Sequence, residues 1–365
     1  MECVKSDSRI SNLELRLNPR IISASNGYFT AREMVRVGST PRGVQKMLPK
    51  ARAISIKLEN LSRVECNILK QSLLSLGGDA AVHKFVLTEE VEPSNAVLVG
   101  MQEHFSELCN QLMEQPWVLP RIARIIRETI KNYNKRVYKV PYRGGELTLG
   151  RTTHIMGVLN VTPDSFSDGG KFTDVKTAVE YALKMASCGA DIIDIGGQST
   201  RPGSRQVSVK EELKRVIPVL DKLSGKKLLI SIDTARSAVA REALRAGAKI
   251  VNDITGLCGD RKMAGVVAKY KTPVIIMHIR GTPQTMQENP QYEDVMSEIA
   301  LHIRESIRIA LSAGVARERI IIDPGIGFGK LPEHNIEILR RLSELKSIGC
   351  PILVGTSRKS FIGHY

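Results

Sequence analysis

Seven segments of this 365-residue chain close an apolar run with polar residues. They are Asn160 after IMGVL, Thr200 and Arg201 after DIIDIGGQS, Asp233 after LLISI, Asn252 after KIV, His278 after PVIIM, Asp323 after RIII, and Ser357 to Lys359 after PILVGT. A carboxylate at the end of a buried strand is costly unless it is solvated or met by hydrogen-bond donors. Asp233 and Asp323 therefore imply a polar occupant between them. With Asn252 and Lys359 the set offers two acceptor-only carboxylates, one mixed donor and acceptor, and one cation. It matches a flat heterocycle carrying an amino group, ring N–H groups and a carbonyl. Strand-end caps or salt bridges would explain one such aspartate, but seven positions together argue for a site.

Two glycine-rich stretches lie beside these residues, SDGGKF at Ser167–Phe172 and DPGIGFGK at Asp323–Lys330. The second resembles a nucleotide fingerprint, but that fingerprint needs its glycines to open a helix, and Lys330-Leu331-Pro332 interrupts first. A closely approached or mobile loop beside a site fits better. A lone histidine such as His278 is more often structural than catalytic. No G-x-S-x-G elbow or zincin helix is present, so covalent catalysis is not indicated.

These residues need a frame that brings many strand ends together. From Arg151 onward, apolar strand, loop and amphipathic helix repeat, and seven strands are expected: THIMGVLNV, ADIIDIGG, LLISID, KIVNDI, PVIIMHI, RIIIDPG and PILVGTS. Near-continuous apolar strands separated by helices imply a parallel sheet covered on both faces. An open doubly wound sheet gathers its functional groups at one switch point, whereas a β/α barrel gathers them from all strand ends at one mouth. The spread over seven units predicts the barrel.

Residues 1–135 read as a small α/β domain, with ARAISIKL and NAVLVG as strands and RVECNILKQSLLSLGG and MQEHFSELCNQLM as helices. Over Leu119–Asn134, Ile122, Ile126, Ile130 and Tyr133 form one helical stripe. Arg121, Arg124, Arg127, Lys131 and Lys135 fall largely off it, as a solvated basic face. Residues 136–150, with Pro141 and Gly144-Gly145, read as a linking hairpin ahead of the barrel at 151–365.

The net charge of +15 divides evenly, +7 over residues 1–150 and +8 over 151–365. Without a basic tail, this is a general attraction for anions, and no nucleic-acid partner is expected. The six cysteines are far apart, which favours reduced core thiols over disulfides or a metal site. No signal-peptide core or long apolar run is present, so no membrane partner is expected and a cytoplasmic location follows.

In order and spacing, IMGVLNVTPDSFSDGGKF, GADIIDIGGQSTRPGS, SIDTARSAVAREAL, IVNDITG, IIMHIRGTPQTMQ, IIDPGIGFGK and VGTSRKSFIG resemble the dihydropteroate synthases. The resemblance implies a (β/α)8-type TIM barrel and a transferase of folate synthesis. Its reaction joins a pterin diphosphate to 4-aminobenzoate. It implies that Asp233, Asn252, Asp323 and Lys359 hold the pterin and that Asn160 ligates Mg2+ at the diphosphate. It further implies that Thr200, Arg201, Pro202, Phe328 and Ser357 place 4-aminobenzoate, with Asp168 and Lys359 as catalytic residues. The family's dimers form through late barrel helices, which makes a homodimer one possible assembly.

The family pattern continues beyond Tyr365 into an eighth strand bearing an Arg-x-His diphosphate grip and flanking helices, so a barrel lacking its last strand and helices is expected. Gln198 and Arg236 stand where Glu and Lys are usual. A methyltetrahydrofolate:corrinoid methyltransferase has a similar pterin-binding barrel, but SRKS and NVTPDSFSDGG favour the synthase. A catalytically silent pterin-binding protein is the reading from another class.

Overall fold

The computed structural model describes residues 31, 34–35, 39–48, 53–86, 93–162, 175–199, 207–283, 285–286 and 288–363. The chain forms two compact units, Met1–Glu128 and Thr129–Tyr365.

In the first unit, helix α1 (Pro41–Met47) precedes strand β1 (Ala53–Leu61), helix α2 (Arg63–Ser75), strands β2 (Asp79–Val82) and β3 (Ser94–Met101), and helix α3 (Gln102–Met113). The strands pair antiparallel in the order β1-β3-β2. β3 alternates buried and exposed along its length, which is the period of a sheet with one covered face. Cys66, Leu69 and Leu73 of α2 and Phe105, Leu108, Cys109 and Leu112 of α3 are fully buried. A capping box starts α2: Ser62 Oγ accepts from Glu65 N at 3.3 Å, while Ser62 N donates to Glu65 Oε2 at 2.7 Å. Helix α4 (Leu119–Asn134) follows. It buries Leu119, Ile122, Ala123 and Ile126, and leaves Arg121, Arg124, Arg127 and Lys131 exposed. Tyr133, expected on the buried stripe, is exposed instead and lies with its ring under Lys346 Nζ at 4.8 Å.

The second unit opens with an antiparallel hairpin of β4 (Tyr138–Tyr142) and β5 (Gly145–Leu149), turning at Gly144 with φ +95°. Then come β6 (Met156–Asn160), α5 (Val175–Ser187), β7 (Ile192–Gly196), α6 (Val209–Leu223), β8 (Leu229–Asp233) and α7 (Ser237–Arg245). The alternation continues with β9 (Ile250–Asp253), α8 (Met263–Tyr270), β10 (Val274–Met277), α9 (Val295–Ser312), β11 (Ile320–Asp323) and α10 (Pro332–Arg341). The six strands β6 to β11 form one parallel sheet in chain order. A doubly wound sheet would reverse its order at a switch point; this one does not, as a β/α barrel requires.

The expected seventh strand joins β11 through a single bridge, Ile322 to Ile352. Ile322 N donates to Pro351 O at 3.0 Å and Leu353 N to Ile322 O at 2.8 Å. Beyond Leu353 no further bridge forms among the described residues, and the chain turns at Ser357-Arg358 before Lys359.

Two apolar layers hold this unit. The outer one packs strands against helices, with Ile193, Ile232, Val251, Ile276 and Ile322 meeting Val216, Leu220, Val239, Val267 and Ile303. The other sits at the strands' N-terminal end, where Val140, Leu147 and Leu149 of the hairpin pack with Ile192, Ile250, Ile275 and Ile321. The hairpin thus closes one end of the sheet with hydrocarbon, and polar chemistry is left to the other end. Among the described residues no helix is long and apolar enough to cross a membrane.

The five thiols among the described residues are free, and Cys3 lies outside them. Cys66, Cys109 and Cys350 are buried, and Cys188 and Cys258 are exposed, contrary to the core position expected for all six.

Candidate active site

The strand register assembles one row of the site. Asn160 pairs with Gly196, Gly196 with Asp233, and Asp233 with Asn252, so one layer at the C-terminal ends of four neighbouring strands carries three of the expected residues. Gly196 matters because it has no side chain: a Cβ there would lie 3.4 Å from Asn160 Oδ1 and 3.5 Å from Asp233 Oδ2. The two oxygens flank a gap that any larger residue would fill.

Asp194, unnoticed in the sequence, fixes the direction of Asn252. Asn252 Nδ2 donates to Asp194 Oδ2 at 2.9 Å. With one of its two amide hydrogens engaged by Asp194, Asn252 is held in one orientation and keeps its carbonyl oxygen as an acceptor. Asp194 lies two residues before the strand end, Cα-paired with Ser231, and both side chains are buried. Burial pushes the Asp194 carboxyl up, opposed by Ser231 and Asn252. The signal for it was visible: a charge inside the run IIDIGG, between Ile193 and Ile195.

Asp233 is held well above the usual carboxylate range by burial and then by the carboxylates of Asp194, Glu212 and Asp253. Each of these has partners of its own, Asp194 the Asn252 amide already described. Glu212 accepts from Thr234 Oγ1 at 2.6 Å and pairs with Arg236 at 2.8 Å, and Asp253 accepts from Thr255 and from Leu257 N. Arg236 therefore meets the charge requirement at that position as a lysine would. Asp233 faces the mouth with an excess of negative charge around it, a place for a ligand rich in donors.

Across the sheet, Asp323 ends β11 and accepts from Gly325 N at 2.7 Å. Its carboxyl is pushed up to about 6 by burial, against the lowering pull of Gly325 N, Lys330 and Lys359. The loop that follows is tightly packed. Gly325 (φ +69°), Gly327 (φ +79°) and Gly329 (φ +65°) all lie in the left-handed region, and a Cβ at Gly325 would sit 1.9 Å from His278 O. Of the two readings of this loop, close approach is the one found.

Phe328 and Lys359, both half-buried, meet at this loop, with Lys359 Nζ 4.2 Å from the Phe328 ring centroid. Burial lowers the Lys359 pKa, and Asp323 opposes that. Ser357 is exposed nearby in sequence. His278 is buried, with a pKa held down to about 2 chiefly by burial and the Lys330 charge, so it is a neutral imidazole. Asp168, Thr200, Arg201 and Pro202 lie outside the described residues.

Sequence and structure comparisons identify the class. The pterin binding enzyme family matches residues 156–365. The chain is 54% identical over 215 residues to the dihydropteroate synthase of Synechocystis sp., covering 59% of this chain and 74% of that one. It is 41% identical over 328 residues to a probable bifunctional folylpolyglutamate synthase/dihydropteroate synthase of Halobacterium salinarum, covering 90% of this chain and 39% of that one. Among solved structures, the Xanthomonas albilineans dihydropteroate synthase with 4-aminobenzoic acid is similar at TM-score 0.58 and 43% identity, over 62% of this chain and 81% of that one. The fold and site define a pterin-binding β/α barrel enzyme. The chain belongs to the pterin binding enzyme family, and within it to the dihydropteroate synthases, transferases of folate biosynthesis.

Proposed function

We propose that the mouth of this barrel condenses 6-hydroxymethyl-7,8-dihydropterin diphosphate with 4-aminobenzoate, giving 7,8-dihydropteroate and diphosphate, and that its residues divide the work as follows. Asp233, the Asn252 carbonyl oxygen and Asp323 accept hydrogen bonds from the amino and ring N–H groups of the pterin, and Lys359 donates to its acceptor side. The observation that carries this reading is the pair of carboxylates, Asp233 and Asp323, at the C-terminal ends of β8 and β11 of one parallel sheet, each pushed up from its ordinary value chiefly by burial. Each is uncomfortable alone and each is relieved by a donor-rich flat ring.

The 4-aminobenzoate lies against Phe328 and Ser357, with the Lys359 cation available to its carboxylate. Departure of diphosphate leaves a cationic methylene carbon, which the aniline nitrogen attacks before losing its proton. Holding the two substrates face to face and stabilising charge are the protein's tasks.

Mg2+ fits the donor set at the diphosphate end. Among the described residues no group of three or more His, Cys, Asp or Glu could hold a metal. The oxygen beside the pterin row is the single amide oxygen of Asn160, 3.4 Å from a Cβ placed on Gly196. Mg2+ usually keeps several waters and is held by one or two carboxylates with substrate phosphates; here the amide oxygen of Asn160 would take the protein's place in that shell. When bound, it neutralises charge on the leaving diphosphate.

The test is a product assay on the 365-residue chain with both substrates, followed by mass spectrometry for 7,8-dihydropteroate. Product formed with Mg2+ and lost in Asn160→Ala supports the assignment. Product formation indifferent to Asn160 would remove that residue from the reading, and no product under any condition would remove the activity.

A further inference from the structure

One buried cation of the barrel has no part in the reading above. Lys330 ends the Asp323–Lys330 loop and is 2% exposed. Its Nζ donates to Phe328 O at 3.0 Å, to His278 Nδ1 at 2.9 Å and, more weakly, to His278 O at 3.4 Å. A lysine has three hydrogens to give, and all three directions are spent on protein acceptors. An ammonium carried into such a place is expensive unless it works for its surroundings.

The three acceptors belong to the two segments that build the second half of the site. Phe328 carries the ring against which Lys359 Nζ lies at 4.2 Å, and His278 follows β10, whose Met277 pairs with Asp323. The loop between is clamped from both sides, because Tyr292 Oη donates to Gly329 O at 2.7 Å and Gly325 packs against His278 O.

Resting on the pterin reading, we propose that Lys330 is a positioning residue of this site: its ammonium ties Phe328 to His278, whose backbone N donates to Asp323 O at 3.0 Å, and in its protonated form it places a positive charge on the Asp323 side of the mouth. Lys330 reaches no substrate itself.

The groups facing Lys330 are consistent with that task. Asp323 at the end of β11 is its one acidic neighbour, and Lys359 is the opposing cation. His278 and His302, on β10's continuation and on α9, are both shifted toward the neutral form with Lys330 among the causes, and Arg280 adds positive charge beside His278. Tyr292, its phenol pushed up to about 12 mainly by burial, stays neutral. The Lys330 amine is itself brought down to about 7, chiefly by burial, with Asp323 resisting. Asp323 thus favours the ammonium form of Lys330, and Lys330 favours the ionised form of Asp323.

The experiment is isothermal calorimetry of 6-hydroxymethylpterin binding to the full 365-residue chain from pH 5 to 9, for wild type, Lys330→Met, Lys330→Arg and Asp323→Asn, each checked for cooperative melting. Removing a cation near a carboxylate raises the carboxyl's pKa by about one unit or more. The acid limb of pterin affinity should therefore move upward by about one pH unit in Lys330→Met, and Lys330→Arg should restore it. A midpoint unchanged in folded Lys330→Met would overturn the proposal. Should that variant not fold, wild type alone still decides. With the side-chain carboxyls labelled with 13C, the Asp323 resonance must titrate near neutrality and respond to a second ionisation, that of Lys330. A single-step titration overturns the proposal. Asp323→Asn separates the two readings, because normal pterin affinity in that variant rejects the pterin site itself, whatever Lys330 does.

Discussion

The two units of this chain bury very different things. In the first, the described buried residues are hydrocarbon and thiol with Ser94 as the single polar exception. In the second, Asp194, Glu212, Asp253, Asp323 and Lys330 are all buried, clustered at or beneath the C-terminal ends of the strands. Buried charge weakens a fold unless something requires it. The first unit is therefore built as a core with a polar outside, while the second gives up stability around a ligand site.

The sharpest way to break this contrast is to damage each unit and read both properties. Phe105 is fully buried in α3, and Phe105→Ala should lower the stability of the first unit by about 3–5 kcal/mol. Pterin affinity should be unchanged, as judged by calorimetry beside a denaturant melt. A parallel loss of affinity would mean the first unit contributes to the site.

In the barrel the expectation reverses. Asp323→Asn removes one buried carboxylate and should cost pterin binding about 2–3 kcal/mol, the worth of a charge-assisted hydrogen bond left unpaired. That is roughly a 30- to 150-fold weaker Kd. The melting temperature should hold or rise, since ionised Asp323 in the free protein costs stability as pH climbs from its ordinary value of 3.8 through about 6.

A smaller effect concerns protons. Asp233 and Asp323 are both shifted up, and pterin donors favour their ionised forms, so binding must expel protons and affinity must fall as pH drops through about 6. One linked proton gives about tenfold per pH unit below that point. Titrations in buffers of different ionisation enthalpy count the protons; no release at pH 6 would contradict the raised carboxyls.

The mildest test returns to the first unit. Ser62→Ala removes the α2 cap and should cost about 1 kcal/mol of stability, with pterin binding untouched. A change in pterin Kd beyond error would again join the two units.

Much of the barrel was legible in the sequence because its strands are apolar runs ended by polar residues, a pattern that gives both strand and site position. Asp233, Asn252 and Asp323 sit where that pattern put them. The β-strand register then does what no linear reading can, placing Asn160, Gly196, Asp233 and Asn252 in one row. Asp194 and Lys330 were missed for a common reason. Their roles lie in what they touch, Asn252 in one case and His278 with Phe328 in the other, and those contacts join segments 58 and 52 residues apart. Tyr133 failed for a different reason: near a helix end the apolar stripe outlasts the surface that covers it.

The central claim is that two carboxylates across the mouth recognise a pterin. Its most direct test is calorimetric titration of 6-hydroxymethylpterin into the wild-type chain and into the double variant Asp233→Asn with Asp323→Asn, both shown to be folded. The account predicts one ring bound per wild-type chain, with proton release at pH 6, and no measurable binding to the double variant. Wild-type affinity retained in the double variant would contradict it.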